Sequence, residues 1–115
     1  MTSFDDLLEK LKAAGEPTRL RLLALLREND LSVGELVQVL GQSQPRLSHH
    51  LKSLSEAGLA ERLPEGAFVF YRAARGGVGR QFLDQLFSHT SHDAPEFQAD
   101  RDKLHEVILA RAASA

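Results

Sequence analysis

The sequence predicts a mainly α-helical fold with one small β-hairpin, on three observations. Apolar residues recur at helical spacing along most of the chain. Residues 32–56 read as two capped helices joined by a glycine turn. Residues 59–72 read as two short strands around the turn signal Pro64-Glu65-Gly66.

The N-terminal segment comes first. Ser3 can cap a helix whose Phe4, Leu7, Leu8 and Leu11 share one face, with an end near Gly15. Such a stripe needs a surface to cover. Glu16-Pro17-Thr18 opens a second helix, with proline in the first turn where its missing N–H costs nothing. Leu20, Leu22, Leu23, Leu25 and Leu26 cover most of its circumference, the pattern of a buried central helix. Arg19, Arg21 and Arg27 are left for its remaining surface, open to solvent, phosphates or the carboxylates of a partner.

The next stretch is the most legible. Ser32 and Glu35 form a capping-box pattern, and Val33, Leu36, Val37 and Leu40 follow at i, i+3, i+4, i+7. Gly41 sits where the helix ends, because glycine takes the left-handed conformation without steric cost. Ser43 is the next cap and Pro45 falls in the first turn. Leu47, Leu51 and Leu54 form the inward stripe of the second helix. At 100° per residue, Ser48, His49, Lys52 and Ser53 point outward, with Gln44 and Arg46 near the N-terminal end. Helix, tight turn and helix with a polar, basic outer face is the helix-turn-helix arrangement. Its second helix fits the major groove of DNA. Periodicity alone does not separate this from two packed helices with no nucleic-acid role.

Leu59–Leu63 and Ala67–Arg72 are then the strands of a hairpin wing, in which Phe68, Phe70 and Tyr71 are expected to pack on the helices. Arg75-Gly76-Gly77-Val78-Gly79 reads as a flexible linker. It lacks the Lys-Ser/Thr step of a phosphate loop. Val78, Phe82, Leu83, Leu86 and Phe87 mark a helix to about Ser88. Asp93 caps a last one, with Phe97, Leu104, Val107, Ile108 and Ala112 on its apolar face and a frayed C-terminal end.

Composition bounds the function. A length of 115 residues suits one domain, 1–115. No cysteine is present, which removes disulfides, thiolate metal sites and thiol switching. No apolar run approaches a membrane span and the N-terminus is not a signal peptide, so a cytoplasmic protein is expected. The net charge of −2 hides a gradient. Residues 17–75 carry eight Lys/Arg against six Asp/Glu, and the rest carries six against ten. A weakly basic middle between acidic ends permits a DNA-binding core.

The segments EPTRLRLLALL, LSVGELVQVLGQSQPRLSHHLKSLSEAGLAER and GAFVFYR together resemble the ArsR/SmtB family of winged-helix transcriptional repressors, over about Ala13 to Arg72. The resemblance implies a winged helix-turn-helix that dimerises through N- and C-terminal helices. Residues 1–15 and 78–112 would be dimerisation helices, and 16–75 the DNA-binding core with its wing at 59–72. A homodimer would place two recognition helices on an inverted repeat in double-stranded DNA. Arg46 and Gln44 would read base edges, and Ser43, Ser48, His49 and Lys52 would contact phosphates or further edges. Arg62 and Arg72 would hold the backbone beside the wing. An effector, a small molecule or a protein, would release the complex by changing the angle between the two helices.

Many members of that family sense metals. One family site needs two cysteines after Glu-Leu, and here Glu35-Leu36 is followed by Val37 and Val39. The other needs Asp-x-His before a His-x-x-His pair. His89 and His92 match its second half, but Gly76 and Val78 stand where Asp and His belong. Asp93 and His105 are the residues left to complete an unusual site, too slender a set to expect a metal, and no cofactor is expected. His49 should face DNA and His50, about 100° round the helix, should be packed. Three alternatives remain open: a metal-responsive repressor using His89 and His92, a small metal-dependent hydrolase, and a winged helix used as a protein-interaction module.

Overall fold

The computed structural model describes residues 3–114. The chain runs α1 (Phe4–Ala14), α2 (Pro17–Leu26), β1 (Leu31–Ser32), α3 (Val33–Leu40), α4 (Gln44–Glu56), β2 (Ala60–Glu65), β3 (Phe68–Ala73), α5 (Gly77–Phe87) and α6 (Pro95–Ser114). This is the mainly α winged helix-turn-helix that the sequence predicts, with a third strand added to the hairpin.

Local chemistry sets most of the helix starts. Ser3 with Asp6, and Ser32 with Glu35, form complete capping boxes on α1 and α3. The Glu16 carboxylate caps α2 by accepting the Arg19 N–H at 2.8 Å. Gly41 ends α3 in the left-handed region, at φ 66°. Leucines fill the centre. Leu22, Leu23 and Leu25 of α2 meet Leu36 of α3, Leu47, Leu51 and Leu54 of α4, and Leu31, Leu59 and Leu83, all sealed from solvent. Burying each such side chain contributes about 1.5–3 kcal/mol, so this cluster is the principal support of the fold.

The sheet has the order β1-β3-β2, all antiparallel. β1 is two residues long and has no periodicity to betray it; Leu31 pairs with Tyr71 and Ser32 with Phe70. The wing turn also differs from expectation. Glu65 pairs with Phe68, so the turn is Gly66-Ala67, and Pro64 and Glu65 belong to β2. Proline is tolerated there because β2 is an edge strand whose outer N–H positions need no partner.

Residues 76–79 are not a linker. α5 begins at Gly77, and Gly79 is buried against the end of α4. A Cβ on Gly79 would lie 2.2 Å from the Gly58 carbonyl oxygen. The glycine is there for close approach, a tertiary reason that no local pattern reveals.

α6 also departs from expectation. Ala94, not Asp93, occupies its cap position, since the Gln98 N–H donates to the Ala94 carbonyl, and the helix continues through the segment expected to fray. It lies across α2 and α3 of its own chain. Leu104 and Val107 are buried, Asp100 receives a two-pronged bond from Arg21 at 2.8 and 2.8 Å, and Arg111 pairs with Glu35. Arg21, expected on an open surface, is therefore a structural residue. Burial alone would raise the Glu35 carboxyl, but Arg111 and the Ser32 N–H outweigh it and hold the group below the usual carboxylate range.

Replacing Gly79 with alanine should destabilise the chain by about 1–3 kcal/mol, the cost of forcing a methyl into a filled contact. Urea unfolding of Gly79→Ala against wild type measures it. Equal midpoints would mean that the α5 contact yields without cost.

Candidate nucleic-acid interface

The interface is built on α4. Its inward stripe, Leu47, Leu51 and Leu54, is fully buried, so the helix cannot roll. Ser43 accepts the Arg46 N–H at 3.4 Å, which caps α4 and leaves the hydroxyl proton to donate. Gln44, Arg46, His49 and Lys52 are exposed, and Ser48 is half-buried. Gln44 and Ser48, one turn apart, form one wall of an open cleft between α4 and the wing. Arg62, Phe68 and Tyr71 form the opposite wall, with Ser32, Val33 and Gly34 at its end.

The pleat decides which wing arginine joins them. Arg62 pairs with Tyr71 and Arg72 with Glu61. Neighbouring pairs in a strand point to opposite faces. Arg62 shares the cleft with α4, whereas Arg72 lines a different cleft with Arg27, Arg75 and Arg80 and is bound to Glu61 at 2.9–3.0 Å. The Arg75 backbone N–H and the Arg72 side chain hold the Glu61 carboxyl below its usual range. The structure thus brings Arg62 to the candidate surface and does not bring Arg72. Phe68 is a second departure. Tyr71 packs as expected and Phe70 is half-buried, but Phe68 is 66% exposed on the wing.

The angle of α4 is fixed from α2. The Arg19 Nε–H donates to His50 Nδ1 at 2.9 Å, and the Gln42 amide donates to the buried Thr18 hydroxyl at 2.9 Å. Sequence reasoning placed His50 inside but gave it no partner, and left Arg19 on open surface. Of the guanidinium that the sequence left open to solvent, phosphates or a partner's carboxylates, the Nε–H is spent on this contact.

Residues 16–62 match the family model described as "Bacterial regulatory protein, arsR family". An HTH-type transcriptional regulator of Methanocaldococcus jannaschii is 40% identical over 72 residues, 62% of this chain and 81% of that protein. The chain belongs to the arsR family. A biofilm growth-associated repressor of Xylella fastidiosa is also 40% identical, over 78 residues and 68% of each chain. Among solved structures, a homodimeric winged helix-turn-helix DNA-binding domain from Mycobacterium bovis superposes with a TM-score of 0.68 at 26% identity, over 76% of this chain and 84% of that one. These relatives are transcriptional regulators, and the arsR chain is a regulator of that kind rather than an enzyme, which removes the hydrolase reading.

The histidines do not assemble. Among the described residues, no three His, Cys, Asp or Glu side chains converge as a metal site would require. His89, His92, Asp93 and His105 are all exposed. His92 Nε2 lies 4.0 Å from Glu28, and Asp93 lies 4.0 Å from Arg101. Within one chain, the metal-responsive alternative has no geometric support.

The two wing arginines give a direct contrast. Arg62→Ala should weaken DNA binding and lower the salt slope by about one. Arg72→Ala should leave both within error. Anisotropy titrations at several salt concentrations decide it, and equal losses from the two variants would refute the assignment by pleat.

Proposed function

We propose that this arsR-family chain is a homodimeric, cytoplasmic transcriptional repressor that binds an inverted-repeat operator and is released by an effector. The observation that carries the reading is the cleft between α4 and the wing. Gln44 and Ser48 face Arg62 across it, with Arg46, His49 and Lys52 exposed alongside on α4. An α-helix presenting such groups fits the major groove, where Arg pairs with guanine and Gln with adenine. Ser43 and Lys52 add phosphate contacts at the two ends of the helix. The name of the Xylella fastidiosa relative supports repression.

The dimer rests on α1. Phe4 is 77% exposed, Leu7 45% and Leu11 49%, an apolar stripe uncovered in the single chain. The Mycobacterium bovis relative is a homodimer. A second copy of α1 is the occupant proposed here. Val78 of α5 is also exposed, at 42%. No described helix is long and apolar enough to cross a membrane.

The decisive experiment is an anisotropy titration with a duplex selected by the protein from random sequence, against a scrambled duplex. Arg46→Ala should cost roughly 1–3 kcal/mol on the selected duplex and relax its sequence preference. Lys52→Ala should instead weaken both duplexes and flatten the salt dependence. Salt-sensitive binding that is equal on both duplexes would overturn the operator reading.

Leu7→Glu should convert the dimer to monomer in sedimentation velocity, with the circular dichroism of the fold unchanged. A Leu7→Glu variant that still sediments as a dimer would move the interface away from α1.

A further inference from the structure

The contact between α2 and α4 joins a permanent cation to a titratable ring. Arg19 is held twice. Its backbone N–H donates to Glu16 Oε2 at 2.8 Å, and its side-chain Nε–H donates to His50 Nδ1 at 2.9 Å. A guanidinium has donors and no acceptor. His50 Nδ1 must therefore be the unprotonated nitrogen, with the ring proton on Nε2. His50 is buried, and Glu16 Oε2, the oxygen that caps α2, lies 3.9 Å from the same Nδ1.

We propose that Arg19 and His50 are positioning residues for DNA recognition, a lock that holds α4 at its working angle only while the imidazole is neutral. The proposal rests on the DNA-binding reading above. A proton on Nδ1 replaces the lone pair that Arg19 uses and sets two cations face to face. The imidazolium then turns to Glu16 and competes with the Arg19 N–H for the capping oxygen. Both ends of the contact loosen together, at the entrance to α2 and on the recognition helix.

The surrounding charges set the direction. From α2, Glu16 and Arg19 face the ring; from α4 itself, Arg46 and His49 do. Arg19 also borders a cleft with Asp6, Glu9, Lys10 and Lys12 of α1 and Glu56 of α4, whose charges nearly balance. Burial of the ring, with Arg19, His49 and Arg46 beside it, outweighs the pull of Glu16 and holds His50 below its ordinary range. Glu16 stays ionised in mild acid. Burial would raise its carboxyl, but the Arg19 and Thr18 N–H groups and the nearby His50 and Arg19 charges hold it below its usual range. The folded form thus favours neutral His50. The lock is complete at neutral pH and is lost as pH falls from the ordinary histidine range through the lowered value.

The test is the pH profile of operator affinity between pH 7.5 and 5.5, with the full chain in a His49→Gln background. That background leaves His50 as the one imidazole on α4. Affinity for the selected duplex should fall by about two- to tenfold in acid, the worth of one net hydrogen bond. His50→Gln can still accept the Arg19 N–H through its amide oxygen but cannot take up a proton. It should bind well at pH 7.5 and lose the acid fall. Arg19→Met should bind weakly at both pH values; if it fails to fold, His50→Gln decides alone. An acid fall of undiminished size in His50→Gln, or none in the parent, overturns the proposal. Nitrogen-15 NMR of the DNA-free protein separates this from failure of the DNA reading. A proton on Nε2 at pH 7.5, with an Arg19 Nε–H signal lost in acid, supports the lock even if no duplex is bound selectively. A proton on Nδ1 at pH 7.5 ends it.

Discussion

The docking of α4 on α2 is the constraint on which the rest of the structure depends. It has an apolar and a polar part, and their magnitudes assign them different tasks. Leu22 and Leu23 on one side and Leu47, Leu51 and Leu54 on the other are fully buried, and each contributes about 1.5–3 kcal/mol. The two polar links, Arg19 to His50 on α4 and Thr18 to Gln42 in the turn before α4, contribute about 0.5–1.5 kcal/mol each. The leucines hold the helices together. Yet apolar contact is non-directional and tolerates small rotations of one helix on another. The hydrogen bonds do not, because their strength falls steeply with angle. Stability therefore resides in the seam, and the orientation of the exposed residues of α4 resides in the polar links.

The wing is tied to the same unit through β1, and Ser32 carries the link onward. Ser32 belongs to β1, where it pairs with Phe70 of β3, and it is also the cap of α3. Its N–H donates to Glu35, and its hydroxyl accepts the Glu35 N–H. Glu35 in turn is bound by Arg111 at the far end of α6. The chain Phe70, Ser32, Glu35, Arg111 links wing, helix-turn-helix and C-terminal helix. Arg62 and Gln44, far apart in sequence, hold their places across one cleft because both are built on this frame.

What the sequence made legible was local. The caps of α1, α3 and α4 and their apolar stripes follow from residues three or four apart, and the structure has them where the pattern puts them. The misses share a cause, which is a partner distant in the chain. β1 exists because β3 offers it hydrogen bonds. Gly79 is required by the Gly58 carbonyl. Pro64 was a turn signal by composition, but the edge position of β2 removes the objection to it. That shift of the turn matters for function. Arg62 and Arg72 are equivalent as bare arginines, and only the register set by Gly66-Ala67 puts them on opposite faces. Parity within the hairpin was the available signal, and it requires the turn to be placed correctly. His50 was legible as a packed residue from its angle on the helix, but its donor lies on another helix and left no mark on the local pattern.

The same reasoning bears on how two chains would meet. α6 is weakly patterned, yet it is committed to its own chain through Leu104, Val107, the Arg21–Asp100 pair and Arg111. Asp100 is almost fully buried, and withdrawing it from Arg21 would leave a carboxylate uncompensated in the interior. A dimer that needed the buried face of α6 would have to break those contacts first. α1 carries no such commitment. Its Ala13 and Ala14 pack inward, whereas Phe4, Leu7 and Leu11 lie open on the outer face. The open part of each of those side chains contributes about 25 cal/mol per Å² only when something covers it. A two-fold contact covers the stripe twice with one surface. α6 therefore braces α2 and α3 with its buried face, and the open stripe of α1 is the surface that the proposed dimer would cover.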